Sequence, residues 1–379
     1  MFSSRLNWGF RPNALSALLA ERQRAGVLDL SESNPTRAGL VYPSGEILAA
    51  LADESSMRYN PAPRGISTAR EAGAAYSRGL GADVPPERIL LTASTSEAYA
   101  YLFKLLADPG YEVLAPRPSY PLFEFLAGLE SVHIRQYPLR YDGGWHVDFD
   151  ALEALVTDRT RALVVVNPNN PTGSFLKRDE WERLQGFGVP ILSDEVFCDY
   201  GFGEDAERVR TLAGSGRALV FSMSGLSKIA GLPQMKLGWI AASGPGCDPA
   251  LDALELIADT YLSVATPVQV ALPRLLSDQV RNQIRARTAA NLKHLRQSMD
   301  GSAASVLRAE GGWYAILQVP RTRSEEDLAL ALLREHDVLV QPGFFFDFES
   351  EAFLVVSLLC EPGTFAEGVR RIATAVQTR

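Results

Sequence analysis

Lysine is scarce in this chain. Only five (Lys104, Lys177, Lys228, Lys236 and Lys293) stand among 37 basic residues in 379. Each invites a chemical reason, although a GC-rich genome alone would give the same bias. Cysteine is scarcer still: Cys198, Cys247 and Cys360 are odd in number and far apart, which excludes a disulfide framework and a CxxC pair and points to a reducing cytoplasm. The four histidines (His133, His146, His294, His336) are scattered, so the commonest acid–base residue carries little weight here. No stretch reaches the roughly 20 apolar residues that a membrane helix requires. Met1 to Arg11 holds Arg5 and Arg11 without an apolar run between them, so no signal peptide is expected. GxGxxG after a strand, the Walker loop, HExxH, GxSxG and metal-spaced Cys/His clusters are all missing, and no metal is expected.

What is present describes an ordinary globular protein. Apolar residues at 46% and charged residues at 22% exclude disorder, and the length predicts two or three domains. A net charge of −8 argues against nucleic acid or an anionic membrane as the main partner. Helix signals at Pro12–Gly26, Ser67–Leu80 and Thr95–Leu106 alternate with β-rich runs. The runs are Arg88–Thr92, Glu112–Ala115, Val132–Tyr137, Arg161–Val166, Val189–Ser193, Ala218–Ser222 and Lys236–Ala241. Ala162–Val166 is apolar at every position, as a strand covered on both faces must be. The expected fold is therefore α/β, with a mostly parallel seven-stranded sheet covered by helices. After about Pro245 helices dominate to Met299, and short strands then mix with helices at Glu325–His336 and from Thr364, a pattern that fits a smaller α+β domain. Gly201–Gly216 and Ser243–Asp248 are the expected flexible segments.

Four stretches sit at or just after predicted strand ends, where ligands gather in open parallel sheets. Leu91–Ala98 puts Ser94, Thr95 and Ser96 before a helix, which suits either a phosphate cradle or a plain N-cap. Val166–Gly173, with Asn167-Pro-Asn-Asn-Pro-Thr-Gly173, is a tight polar loop able to aim Asn amides into a cleft. Ile191–Phe197 ends a buried strand with Asp194, a costly carboxylate unless a cation meets it, and one that could equally cap the following loop. Its neighbour Glu195 falls on the opposite pleat and suits a structural role. Ser222–Trp239 places Lys228 and Lys236 eight residues apart among small and apolar residues, where a lysine loses its proton readily and can form a Schiff base.

Taken together and in this order, NPNNPTG, SDEVF and SGLSK…LPQMKLGW resemble the class I/II aminotransferases, pyridoxal-phosphate enzymes of fold type I. The likeness runs from about Leu28 to the C-terminus. It implies pyridoxal 5'-phosphate as cofactor and Lys228 as the residue that forms an aldimine with it and later moves the substrate proton. Asp194 then pairs with the pyridine nitrogen, Asn170 bonds the phenolic oxygen, and Tyr120 stacks on the ring. Ser94, Thr95, Ser96 and Lys236 match the phosphate contacts. Tyr59 looks like the tyrosine that reaches the phosphate from the second subunit, which implies a homodimer with shared active sites. The implied division is 1–50 (joining the small domain), 51–265 (the large cofactor-binding domain) and 266–379 (the small domain).

Three positions depart from the family pattern. Phe197 replaces a common tyrosine, Gly225 replaces a frequent phosphate-binding serine for which Ser224 or Ser227 could compensate, and Val355 replaces the arginine that grips the substrate carboxylate. No arginine lies between Arg334 and Arg370. Arg37, Arg64 and Arg117, with Asn34, are the substitutes on offer, unless the amino substrate is not an ordinary α-amino acid. The implied reaction is transamination between a small-molecule amino donor and a keto acceptor through pyridoxamine phosphate. A lyase or decarboxylase on the same scaffold is the alternative, and a non-catalytic cofactor sensor is a third reading.

Overall fold

In the computed structural model, which describes residues 2–9, 11–22, 26–214 and 216–377, the apolar runs assemble into one large sheet. The chain enters through α1 (Ala14–Glu21), whose first turn is capped by the Asn13 side chain on the Ser16 amide. This helix is shorter than the span expected from Pro12 to Gly26, and residues 23–25 of that span lie outside the described residues. Next come β1 (Leu28–Asp29), α2 (Ser44–Leu51), α3 (Ser67–Gly79), β2 (Ile89–Thr92) and α4 (Thr95–Leu106). The following stretch supplies β3 (Glu112–Arg117), α5 (Phe123–Leu129), β4 (His133–Tyr141) and β5 (Trp145–Val147). After α6 (Phe149–Leu155) come β6 (Thr160–Val166), α7 (Arg178–Leu184), β7 (Ile191–Asp194) and β8 (Val220–Gly225). The short α8 (Leu226–Ile229), β9 (Gly238–Ser243), α9 (Cys247–Tyr261) and α10 (Thr266–Leu275) complete this part.

The sheet order is β2-β9-β8-β7-β6-β3-β4-β5. β8, β7, β6, β3 and β4 are mutually parallel, while β9 runs antiparallel to both of its neighbours. The eighth strand, one more than expected, is β5, which turns back on β4 after Gly143. Three residues are too few to show an alternating pattern, so the sequence did not announce it. Helices cover both faces: Leu102, Phe103 and Leu254 pack with Val164 and Phe221 on one side, and Trp181 and Leu184 with Leu163 and Ile191 on the other.

Beyond α10, α11 (Asp278–Met299) leads to β10 (Ser305–Val306), β11 (Tyr314–Gln318), α12 (Glu325–His336) and β12 (Val338–Leu339). Then β13 (Gln341–Pro342), β14 (Phe353–Ser357) and α13 (Pro362–Gln377) finish the chain. An antiparallel sheet, β10-β11-β14-β13, packs on these helices around Leu332, Leu354, Phe365 and Ile372. Each such fully buried side chain contributes about 1.5–3 kcal/mol. Leu15 and Leu30 enter the same core, and β1 pairs with β12.

Candidate functional site

The strand directions put the carboxyl ends of β2, β3, β6, β7 and β8 along one edge of the large sheet. All four chemistry-bearing stretches leave from that edge. Asp194 closes β7 directly opposite Val166 of β6 and Met223 of β8, and the Asn167 amide donates to the Asp194 carbonyl at 2.8 Å. Sequence separation therefore collapses into one locality.

The three loop asparagines divide by their bonding. Asn167 donates from Nδ2 to the Val209 carbonyl at 2.8 Å and accepts from the Leu176 amide at 3.0 Å. Asn169 donates to the Pro118 carbonyl at 3.0 Å and to Thr172 Oγ1 at 2.9 Å, and accepts from the Ser119 hydroxyl at 2.9 Å. Both hold the loop. Asn170 is also buried, yet its Oδ1 has no hydrogen-bond partner among the described residues. A buried amide left under-bonded costs stability and is a group kept for a ligand.

Asp194 and Glu195 repeat that contrast. Glu195 accepts from Ser193 Oγ (2.8 Å), Thr211 Oγ1 (2.6 Å), the Leu212 amide (2.8 Å) and Ser222 Oγ (3.0 Å). Among the described residues the Asp194 carboxylate accepts two long bonds, from Tyr99 Oη at 3.2 Å and the Val196 amide at 3.3 Å. Burial pushes the Asp194 carboxyl up to about 6, against those two bonds and the charge of Lys228. A carboxylate so placed calls for a cation at its free lone pairs.

Lys228 lies on α8, in the loop that joins β8 to β9. Burial pulls its pKa down, with Asp194 opposing. Its Nζ stands 5.0 Å from the Trp313 ring centre and 5.8 Å from that of Phe197, and Tyr200 Oη fixes its carbonyl at 2.6 Å. Phe197 meets Trp313 edge-on at 5.3 Å and Tyr314 at 6.5 Å. Tyr120 is half-buried on the segment after β3, its hydroxyl pushed up to about 12 by burial, with Asp194 adding to the shift.

At the end of β2, Ser94 caps α4 by accepting from the Glu97 amide at 3.2 Å, and Thr95 and Ser96 open the first turn. The free amides of such a turn suit an anion. Gly225 has a steric reason: a Cβ there would fall 2.9 Å from Gly238 Cα and 3.0 Å from the Leu237 carbonyl oxygen. The backbones of β8 and β9 touch where a serine would otherwise stand. The neighbouring Ser224 hydroxyl is buried and without a partner among the described residues. Lys236 is exposed in a left-handed conformation (φ 49°), and Tyr59 is 75% exposed. Asn170 Oδ1, Ser224 Oγ, the turn at Ser94–Ser96, Asp194 and Lys228 together suit a flat aldehyde-bearing ring with a basic nitrogen, a phenolic oxygen and a phosphate.

The substrate candidates do not converge in the same way. Arg64 is taken up by Glu255 at 2.6 Å and Asp252 at 2.8 Å. Arg117 shares Glu349 with Arg140. Asn34 caps the short helix Pro35–Arg37 by accepting from the Thr36 amide at 3.1 Å. Arg37 is loosely placed, 3.7 Å from Glu32 with 65% of its side chain exposed. Val355 is sealed among Leu307, Ile316 and Phe346. Trp313 and Tyr314 were not read from the sequence, where Gly311-Gly312-Trp313-Tyr314 looks like the start of any strand. Two glycines before two aromatics was the available signal.

Residues 25–372 match the family described as aminotransferase class I and II. Among curated proteins, nicotianamine aminotransferase B of Hordeum vulgare is 25% identical over 96% of this chain and 70% of its own length. An S-alkyl-thiohydroximate lyase of Arabidopsis thaliana is 30% identical over 71% of this chain and 60% of its own. Among solved structures, an alanine aminotransferase from Pyrococcus furiosus superposes with a TM-score of 0.85 at 23% identity, covering 97% of this chain and all of that one.

Proposed function

Because the chain belongs to the class I and II aminotransferases, we propose that it works with pyridoxal 5'-phosphate held on Lys228. The protein is an aminotransferase that moves an amino group from an amino donor to a keto acid. The single observation that carries the assignment of residues is the pairing of an under-bonded buried Asp194 with a desolvated Lys228 at adjoining strand ends. The bound cofactor supplies an aldehyde carbon and a ring that takes up the electron pair released at the substrate's amino-bearing carbon. Asp194 holds a proton on the ring nitrogen and gains the cation its burial demands. Asn170 bonds the ring oxygen and Tyr120 covers one face. The first turn of α4, Ser224 and Lys236 meet the phosphate. Lys228 Nζ, whose hold on its proton burial weakens, would be the group that takes up the proton from the substrate carbon.

We infer a homodimer from the exposed apolar residues Met57, Tyr59, Leu256 and Tyr261, which a second copy would cover while Tyr59 reaches the partner's phosphate. The division into 1–50 with 266–379, and 51–265, follows the same reading. Three free, buried cysteines support a cytoplasmic home, and no described helix is long and apolar enough to cross a membrane.

Arg37 is our assignment for the carboxylate grip. Arg64 and Arg117 are already neutralised, whereas Arg37 is only loosely met by Glu32 at 3.7 Å and stands four residues after Ser33. Ser357 Oγ donates to the Glu32 carbonyl at 2.7 Å, and the Tyr314 hydroxyl interacts with Ser33. A donor screen without acceptor tests both reaction and grip. Transamination bleaches the lysine-bound cofactor band once, yields one keto product per site and releases no ammonia; steady ammonia release would mark a lyase instead. Arg37→Gln should raise KM for carboxylate donors about tenfold or more, the loss of a charge-assisted bond. Equal KM values would move the grip elsewhere, and bleaching by simple amines alone would change the substrate class.

A further inference from the structure

A cleft of about 500 Å³ opens outside the site, lined by Tyr76 of α3, Asp199, Arg210, and Arg281 and Arg285 of α11. It shares Asp199, Arg210 and Arg285 with an adjoining cleft of about 430 Å³. We propose that this double cleft binds a small polyvalent oxyanion, a polycarboxylate or a phosphate compound, between Arg210 and Arg285.

The charge arrangement carries the proposal. Arg281 is only 13% exposed and already answered: it donates to the Ile229 carbonyl at 2.9 Å and faces Asp278 at 3.0 Å and Asp199 at 3.6 Å. The side chains of Arg210 and Arg285 have no ion pair or hydrogen bond among the described residues, yet the charge of each bears on Asp199. Burial raises the Asp199 carboxyl, and Arg281, the Tyr76 hydroxyl at 3.0 Å, Arg285 and Arg210 all oppose that rise. One carboxylate, already bonded to Tyr76 and Arg281, cannot neutralise three guanidinium groups.

The remaining acids do not fill the gap. Asp278 sits on Arg281, and Asp205 is held by Lys177 at 3.3 Å and Arg208 at 3.7 Å, which leaves Glu204 at the outer rim. An anion with two or more charges matches the two open forks, since guanidinium pairs bidentately with carboxylate or phosphate oxygens. It would join the segment around Arg210 to α11. The cleft also backs on the reacting lysine, because Arg281 bonds the carbonyl of Ile229, the next residue along. None of its lining residues belongs to the site above, so the inference stands apart from the transaminase reading.

The test is calorimetric titration and thermal melting of the cofactor-loaded protein with citrate and, separately, pyrophosphate, at ionic strength held constant with chloride. Loaded protein keeps the phosphate turn of the catalytic site out of the reading. The expected result is saturable binding of at least one probe, with Kd near or below about 1 mM. Arg210→Gln combined with Arg285→Gln should weaken it at least about tenfold, an effect of the size of one charged bond. Arg296→Gln, an exposed change elsewhere on α11, should leave it unaltered. Citrate alone would assign the polycarboxylate class, and pyrophosphate alone the phosphate class. No saturable binding by either probe, or equal binding by the double variant, overturns the proposal.

Discussion

The floor of the candidate site, at the carboxyl edge of the large sheet, is made of polar groups that the fold leaves under-bonded, Asn170 Oδ1, Ser224 Oγ and Asp194 among them, whereas the wall on the antiparallel sheet is made of rings, with Val355 sealed among apolar residues. Floor residues leave the ends of five strands whose hydrogen-bond ladders fix their positions. The wall is assembled from β11, the Phe344–Phe346 turn and β14, and it meets the floor through contacts such as the Ser119 amide on the Phe346 carbonyl at 3.0 Å. In the proposed function the floor meets the cofactor, so its residue types are constrained and recognisable. In the same proposal the wall faces the substrate, and apolar packing there can be achieved by many sequences.

The sharpest way to test this contrast is to remove a reacting floor group and, separately, a rim group that only helps to hold the cofactor. Lys228→Ala should lower kcat at least about 10⁴-fold, the upper range for a positioned acid–base group. Lys236→Ala, on the exposed rim, should mainly weaken cofactor retention, as equilibrium dialysis would record. Were the two losses equal in kcat, the distinction between reacting and holding lysines would fail.

Asp194 and Glu195 give the next largest effect and differ in sign for stability. Asp194→Asn should cost about 10²–10³ in kcat, the scale of a lost electrostatic partner in a dry site. In the cofactor-free protein the same change should stabilise. The Asp194 carboxyl rises from an ordinary 3.8 to about 6, so the folded chain holds its proton more tightly than the unfolded one. Its contribution is present below pH 3.8 and lost as the pH climbs through 6, a penalty of at most about 3 kcal/mol at neutrality. Urea unfolding at pH 4 and pH 7 should show the variant's advantage only at the higher pH. Glu195→Gln should do the opposite, unfolding earlier through loss of its buried bonds while kcat at saturating cofactor is nearly retained.

Smaller effects probe the departures from the family pattern. Gly225→Ser should destabilise by about 1–3 kcal/mol, because its Cβ would press on Gly238 and Leu237, rather than tighten phosphate binding. A raised cofactor affinity with an unchanged melting temperature would contradict that account. Phe197→Tyr should lower the pKa seen in an absorbance titration of the lysine-bound cofactor, since a hydroxyl there favours the deprotonated form. An unchanged or higher value would remove Phe197 from the ring's edge.

Much of the floor was legible because its motifs are contiguous: Asn167–Gly173, Ser193–Glu195 and Ser222–Lys228 each sit at a strand end that the apolar runs also marked. The two roles of Asn169 and Asn170 were not separable in sequence, since only the partners at Pro118, Ser119 and Thr172 reveal which amide is spent. The same limit applied to the arginines. Arg64 reads as free until Asp252 and Glu255, about 190 residues away, close on it. Gly225 looked like a missing serine, and its reason lies across the sheet at Gly238. Trp313 stayed hidden because an aromatic beside glycines has no distinctive period. Spacing reports what is local, while satisfaction of polar groups is decided by the partner the fold delivers.

The most direct measurement is borohydride reduction of the cofactor-loaded protein followed by peptide mapping. A phosphopyridoxyl group on the peptide containing Lys228, and none on Lys228→Ala treated alike, is the predicted outcome. A label on Lys236 or another lysine, or wild-type protein that takes up the cofactor without any covalent label, would contradict it.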